Sequence, residues 1–352
     1  MYDFFKGKKV FLTGHTGFKG GWLSIWLKRL GADVTGYSLE PPTKPSLFEV
    51  CGLEKVVKTI EGNITNLDAL SAAFDNVRPD IVFHLAAQSL VRPSYKKPVE
   101  TLNTNILGTV NLLEAARNTR SVRAVIVVTT DKCYENRGWV YPYREIEALG
   151  GYDPYSASKA CAEIVTASYR SSFLSGAKVA VASARAGNVI GGGDWADDRL
   201  LPDCIRAFTE NRRVELRYPD AIRPWQHVLE PLSGYILLAE KLLGKDAAAF
   251  SDSWNFGPDA IGDATVEEVA QKAAGCWGSG AVVAQEKSDK LHEAGILRLD
   301  STKARTNLNW RPRWPIDRAV KETISWYKAW HGKTKDMHQF SLKQIESYEK
   351  SA

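Results

Sequence analysis

The chain has 352 residues, 44% of them hydrophobic and 25% charged, with a formal net charge of +5. That length supports a large core in one or two domains, and the composition is that of an ordinary globular protein, excluding collagen-like and disordered classes. The small net charge and the lack of a basic tail argue against nucleic acid, and no apolar run is long enough to span a membrane.

The first half alternates strand and helix. "KKVFLTG" reads as a short buried strand, and "GGWLSIWLKRLGA" as a helix ending at Gly31. "DVTGYSL" and "VVKTIEG" follow as strands, Asn66 to Phe74 as a helix, and "DIVFHLAA" as a further apolar strand. "VETLNTNILGTVNLLEAARN" is a long amphipathic helix, followed by the strand Val122–Val128, the helix "SASKACAEIVTASYRSSF" and the strand "KVAVASARA". Such alternation predicts an α/β fold: a Rossmann-type doubly wound parallel sheet with right-handed crossovers. After Asn188 the pattern changes to a glycine-rich loop, the helices Leu200–Thr209 and Thr265–Ala274, and short strands in "RVELRYP" and "DSWNFGP". Residues 1–187 are thus expected to form a dinucleotide-binding domain. Residues 188–352 are expected to form mainly a smaller α+β substrate domain, with some segments returning to the first.

Five widely spaced cysteines without a CxxC pair point to reduced thiols in a cytoplasm, and no metal site is expected. The beginning of the chain lacks the apolar region of a signal peptide.

"VFLTGHTGFKG" places Gly14, Gly17 and Gly20 between the first strand and the first helix. Missing side chains there permit a tight turn and let backbone N–H groups approach a pyrophosphate at the helix N-terminus. Gly14, His15, Gly17, Phe18 and Gly20 are therefore cofactor candidates. The acidic residue that usually ends the second strand is absent; Ser38 stands near its place and Glu40 close by. No arginine stands there either, which favours NAD over NADP. Asn63 and Ile64, after the third strand, and Leu85, Ala86, Ala87 and Gln88, after the fourth, are expected along the cofactor. His84, inside an apolar strand, reads as a packing residue.

The apolar run Val125–Val128 stops at Thr129-Thr130-Asp131-Lys132, and carboxyl ends of strands are where ligands bind in open α/β sheets. Tyr155 and Lys159, in "YSASK", share one helical face. An ammonium near a phenol stabilises the phenolate and lowers its pKa, so that it takes a hydroxyl proton as hydride leaves the adjoining carbon.

With these residues the chain resembles the extended short-chain dehydrogenase/reductase family almost end to end, in "TGHTGFKG", "HLAAQS", "NTNILGT", "YSASK", "RPWQHV" and "LRLDSTKARTNLNW". "GHTGFKGGWL", "TTDKCYEN" and "RPWQHVLEPLSGY" resemble its branch that dehydrates CDP-D-glucose to the 4-keto-6-deoxy sugar, on the way to dideoxysugars of bacterial surface polysaccharide. The resemblance implies NAD as cofactor, Tyr155 as acceptor of the O4 proton, Thr130 on the C4 oxygen and Asp131 as the acid for the 6-hydroxyl. Lys132 stands where relatives acting on dTDP-glucose or GDP-mannose carry Glu. It serves either as the base for C5–H, neutral beside a protonated Asp131, or as a cation stabilising the enolate. Gln88, Asn188, Arg199, Arg217, Arg223 and His227 are the substrate-side candidates, Arg223 as a phosphate partner. A homodimer through the helices Val99–Asn118 and Tyr155–Phe173 is implied as well. A 4-epimerase and a catalytically silent dinucleotide sensor are the competing readings; the Thr130-Asp131-Lys132 run argues against the first, and intact Thr130, Tyr155 and Lys159 against the second.

Overall fold

The computed structural model describes residues 4–176, 178–258, 264–278, 283–285 and 297–351. Its centre is a seven-stranded sheet of β1 (Lys9–Thr13), β2 (Asp33–Ser38), β3 (Lys58–Glu61), β4 (Ile81–His84), β5 (Ala124–Val128), β6 (Ala180–Ala186) and β7 (Ser253–Phe256). In space the order is β7-β6-β5-β4-β1-β2-β3, with every neighbouring pair parallel. Helices cover both faces, so the central strands read as continuous apolar runs rather than alternating ones. Ala124, Ile126 and Val128 of β5 enter one core layer with Trp22 and Leu23, while Val125 and Val127 enter the other with Phe11 and Leu112.

The strand order reverses between β1 and β4, and the crevice at that switch point is where a doubly wound sheet binds its ligand. The helix Phe18–Arg29 opens directly from the glycine loop after β1; residues 20–27 are all buried, so it has no polar face. The predicted long helix is built as Pro98–Leu102, a π turn at Asn103–Leu107, and Gly108–Asn118. The π turn has a consequence for the crevice. Asn105 accepts from the Gln88 backbone N–H (2.9 Å) and donates to the Gln88 backbone carbonyl (2.9 Å) and to Ser158 Oγ (2.8 Å). One buried amide thereby ties the loop after β4 to the Tyr155 helix.

The two strands foreseen beyond residue 188 separate. "DSWNFGP" supplies β7, in register with β6, whereas Val214–Leu216 pairs with Val283–Gln285 away from the main sheet. Two further short pairs, Val189–Ile190 with Gln226–His227 and Ile222–Arg223 with Ala264–Thr265, stand apart from the main sheet, and from them Val189, Ile190 and Arg223 line the cleft. The helix Val266–Trp277 starts at a capping box of Thr265 and Glu268. The last helix, Met337–Glu349, returns to the first: Arg29 pairs with Glu346 at 2.8 Å and Glu349 at 3.2 Å, and Trp26 Nε1 donates to Glu349. Among the described residues no helix is long and apolar enough to cross a membrane.

A buried ion pair underpins the β5–β6 end of the cleft. Glu163 accepts from Arg185 (2.8 Å), Ser183 (2.6 Å) and Thr129. Burial acts to raise the Glu163 carboxyl, but the Arg185 guanidinium and these donors hold it below the usual range. Arg185 also donates to Tyr134, whose hydroxyl reaches Asn255 of β7. Three strands and the Tyr155 helix are thus locked together beneath the reacting groups.

Candidate active site

One cleft of about 1310 Å³ runs from the glycine loop, past the ends of β4 and β5, to the loops beyond residue 187. At its β1 end Gly14 has φ +76°, and a Cβ there would lie 2.6 Å from the Ala86 nitrogen. A Cβ on Gly20 would lie 2.1 Å from the Gly14 oxygen. Both positions therefore require glycine. The N-cap Gly17 places no side chain on the first-turn N–H groups of the helix, which leaves them for a ligand oxygen. Gly17, Phe18, Ser38, Asn63, Ile64 and Leu85 through Gln88 all line the same cleft. Ala86 and Leu85 are held by their N–H groups on Thr13 Oγ1, each at 3.2 Å. This cradle fits a dinucleotide such as NAD.

His15 is the exception among the loop residues. Its ring is fully buried away from the cleft, with Nε2 on Thr59 Oγ1 at 3.0 Å and its edge against Phe48. Gly36 makes room for it, since a Cβ there would lie 2.1 Å from the ring. Burial pushes the imidazole down to about 4, so it is a neutral packing group and not a cofactor contact through its side chain. Asn63 lines the cleft, yet its Oδ1 accepts from the Thr65 N–H. His84 bridges Thr13 and Thr109 inside the core, consistent with a packing role.

At the reacting end the strand β5 delivers Thr130 and Asp131 into the cleft wall. Asp153 caps the next helix by accepting from Ser156 N (2.9 Å), and Pro154 opens it, which fixes Tyr155 in the first turn. Lys159 follows one turn later. Thr130 Oγ1 donates to Asp131 Oδ1 at 3.0 Å and lies near enough to the Tyr155 phenol to oppose the rise of its pKa. Asp131 is 2% exposed, and burial raises its carboxyl above the usual range against the pull of Lys132, Thr130, Arg223 and Lys19. Its Oδ2, lying beside Gly187 of the cleft wall, has no hydrogen-bond partner among the described residues. Lys132 lines the cleft next to it.

Two expectations are corrected here. The Tyr155 phenol is pushed up to about 12 by burial, not down, with the nearby Thr130 hydroxyl opposing the rise. Lys159 does not donate to the phenol; its ammonium donates to the Val128 carbonyl at 3.3 Å, and burial depresses it to about 8. Spacing placed the two side chains on one face, but the ammonium turned to the nearest strand-end carbonyl.

On the substrate side Asn188, Arg199, Arg217 and Arg223 line the cleft with Gln88. Gln88 spends its amide on Leu90 and Thr101. Arg199 pairs with Asp194 at 2.7 Å, Arg217 pairs with Asp198, and Arg223 bonds the Ile222 carbonyl at 3.0 Å. His227 does not belong with them. It is fully buried between Trp22 and Trp314, takes the Leu229 N–H on Nδ1, and lies outside the cleft. Trp195 packs on Trp326, Tyr327 and Trp330 while touching the cleft wall.

Sequence reasoning missed Lys19. From the first turn after the glycine loop its side chain lines the cleft and feels Arg199, Asp131, Lys159 and Asp194. Burial first, then the Arg199 and Lys159 charges, push its ammonium down to about 7. The signal was a lysine at the second position of a helix that otherwise buries every face.

A glycine cradle at the switch point, with Tyr155, Lys159 and Thr130 facing it, defines a dinucleotide-dependent enzyme of the extended short-chain dehydrogenase/reductase class. Residues 11–323 match the model of the family described as GDP-mannose 4,6 dehydratase. The chain is 49% identical to the CDP-glucose 4,6-dehydratase of Salmonella typhimurium, over 98% of this chain and 97% of that protein. Among solved structures it resembles the dTDP-glucose 4,6-dehydratase of Bacillus anthracis in complex with NAD, with a TM-score of 0.77 and 19% identity, covering 94% of this chain and 99% of that one. It also resembles a Thermotoga maritima UDP-glucose 4-epimerase, with a TM-score of 0.78 and 23% identity, covering 91% and 98%. The chain belongs to the GDP-mannose 4,6 dehydratase family and is a hydro-lyase.

Proposed function

We propose that the chain converts CDP-D-glucose to CDP-4-dehydro-6-deoxy-D-glucose. The observation that carries this reading is the near end-to-end identity of 49% with a relative so named, joined to Thr130, Asp131, Lys132 and Tyr155 on one cleft. The cradle of Gly14, Gly17 and Gly20 would hold NAD, which would supply a hydride acceptor for C4 of the hexose and a hydride donor for C6. Tyr155 takes the O4 proton as a phenolate, a form that the positive charges of Lys159 and of a bound nicotinamide ring would have to favour against burial, while Thr130 holds the C4 oxygen. The ketone at C4 acidifies C5–H, Lys132 removes that proton, and Asp131 delivers its own to the departing 6-hydroxyl. The raised carboxyl of Asp131 suits an acid, because only the protonated form has a proton to give. Arg199, Arg217 and Arg223 supply positive charge for the diphosphate. In this division of labour residues 1–187 hold the dinucleotide and residues 188–352 mainly the nucleotide-sugar.

Incubation with NAD and a panel of nucleotide-glucoses tests the reading. The 4-keto-6-deoxy product is expected from the CDP sugar; product from dTDP-glucose or GDP-mannose alone sinks the assignment. Lys132→Met is expected to abolish exchange of the C5 proton with solvent while reduced nicotinamide is still formed. Unchanged exchange removes Lys132 as the base.

The same reading includes a homodimer. Val99 is 78% exposed and Leu107 53% on one flanking helix, and Ile164 56% and Phe173 45% on the other, which makes an apolar face of the kind that marks an interaction site. A monomer in sedimentation at micromolar concentration rejects it. Five free thiols accord with a cytoplasmic setting, and the product is suited to dideoxysugar assembly for surface polysaccharide.

A further inference from the structure

Among the side chains lining the cleft, Arg92, Asp198 and Arg217 form one charged group that no step of the reaction uses as a unit. Arg92 belongs to the short helix Val91–Lys96, which follows the loop after β4. Gln88 fixes the approach to that helix by donating to the Leu90 carbonyl at 3.0 Å. Ser94, on the same helix, accepts from the Tyr155 N–H at 3.2 Å, so Arg92 is built into the half of the site that carries the reacting groups. Arg217 comes from the other half of the chain, directly after the strand Val214–Leu216. Both arginines reach one oxygen, Asp198 Oδ1: Arg92 Nε lies 3.6 Å from it, and Arg217 donates a hydrogen bond to it.

An ordinary surface ion pair joins one cation to one anion and asks nothing of the backbone. Here two guanidinium groups converge on a single carboxylate oxygen. Asp198 also holds φ +61°, a left-handed conformation uncommon for any residue but glycine. The chain on either side of it is anchored elsewhere. Asp194 takes Arg199 at 2.7 Å and the Ala196 N–H at 3.1 Å on its carboxylate, and the Tyr327 hydroxyl on its carbonyl. The helix Leu200–Thr209 begins directly after Arg199. Turning the Asp198 side chain alone therefore frees both arginines, and all three side chains are part-exposed, so another anion can reach them.

The charges are also unequal. A single carboxylate faces two guanidinium groups and leaves one positive charge uncompensated. The diphosphate of a nucleotide-sugar carries a negative charge on each phosphate, and its paired oxygens suit the forked donors of arginine better than one carboxylate oxygen does. We propose that Asp198 is an internal stand-in for the substrate diphosphate: it holds Arg92 and Arg217 together in the empty cleft, and the incoming diphosphate displaces it and takes both arginines. Arg92 thereby becomes a substrate-binding residue, and Asp198 sets a threshold that an anion must exceed before it is held. The proposal rests on the nucleotide-sugar reading above.

The test is calorimetric binding of CDP and of inorganic pyrophosphate to the NAD-loaded protein. Asp198→Asn removes the charge and keeps the size and the tolerance for positive φ; Asp198→Gly keeps the backbone freedom alone. Both are expected to bind CDP about fivefold more tightly than the unmodified protein, the scale of part-exposed ion pairs no longer competing. Pyrophosphate is expected to show the same gain, because the exchange concerns phosphate and not the base. Arg92→Gln is expected to weaken CDP about tenfold, as loss of a charge-assisted hydrogen bond does. In the Arg92→Gln background the gain from Asp198→Asn is expected to shrink to about twofold or less, since the two residues act on one contact. Unchanged or weaker CDP binding in Asp198→Asn, opposite signs in the Asn and Gly variants, or no gain for pyrophosphate overturns the stand-in. A full fivefold gain in the Arg92→Gln background overturns it as well, because the effect is then only the removal of a distant negative charge. If the unmodified protein binds dTDP or GDP and not CDP, the CDP reading fails, and the pyrophosphate arm still decides the role of Asp198.

Discussion

Tyr155→Phe is expected to lower kcat on CDP-D-glucose by about three orders of magnitude, within the span of positioned acid–base groups, with the fold intact. The substitution removes one oxygen from a ring whose body is packed in the first turn of Pro154–Tyr169, so the core loses no volume that neighbours must fill. It leaves the Asp153 cap and Pro154 untouched, and the melting temperature should change little. What disappears is the acceptor of the O4 proton and the phenol beside Thr130. Hydride cannot leave C4 unless that proton leaves too, so reduced nicotinamide should fail to appear in the first turnover. The KM for the nucleotide-sugar should move far less than kcat, because the arginines beyond residue 187 are unaffected. Rapid formation of reduced nicotinamide in Tyr155→Phe shows that another group accepts the proton, and the assignment falls.

Much of this site was legible because it depends on chain order. A glycine loop after the first strand, and a β5 that ends in hydroxyl, acid and base, define positions that an alternating α/β chain must bring to one crevice. Glycine at 14 and 20 follows from backbone approach alone, and the φ and Cβ geometry bear that out. Side-chain direction was less accessible. His15 and His227 sit beside residues that line the cleft, but each ring turns into the core, where Gly36 or Trp314 accepts it. Nothing in a run such as "WQHV" tells which side of a two-residue strand meets ligand. The Tyr155–Lys159 spacing gave a common face but not the partner of the ammonium, which Val128 captures from a different element. Lys19 was hidden for the opposite reason: one of 46 basic residues reads as a solvated charge until folding sets it among Asp131, Asp194 and Arg199. The ion pairs of Arg199 and Arg217 likewise depend on loop conformation, which residue patterns do not encode.

Asp131→Asn separates oxidation from elimination, and it carries the second large effect. The amide is nearly isosteric and still offers an oxygen to the Thr130 hydroxyl, so the strand end should keep its place beside the phenol. Tyr155 and Thr130 remain able to act at C4, and reduced nicotinamide should form at close to the normal rate. The amide cannot give a proton to the 6-hydroxyl, so loss of water should fall by two to four orders of magnitude, roughly the worth of a general acid. Reduced nicotinamide should therefore accumulate to nearly one equivalent per site and persist, with the 4-keto hexose still bearing its 6-hydroxyl. The C5 proton should continue to exchange with solvent in this variant, because its removal depends on the ketone and on Lys132 rather than on Asp131. Lys132→Met gives the mirror result, with reduced nicotinamide present and exchange absent. If Asp131→Asn instead turns over steadily with no reduced nicotinamide held back, the proton for the 6-hydroxyl comes from elsewhere. Lys19 is then the first residue to examine, since it lines the same cleft with an ammonium already brought down to about 7.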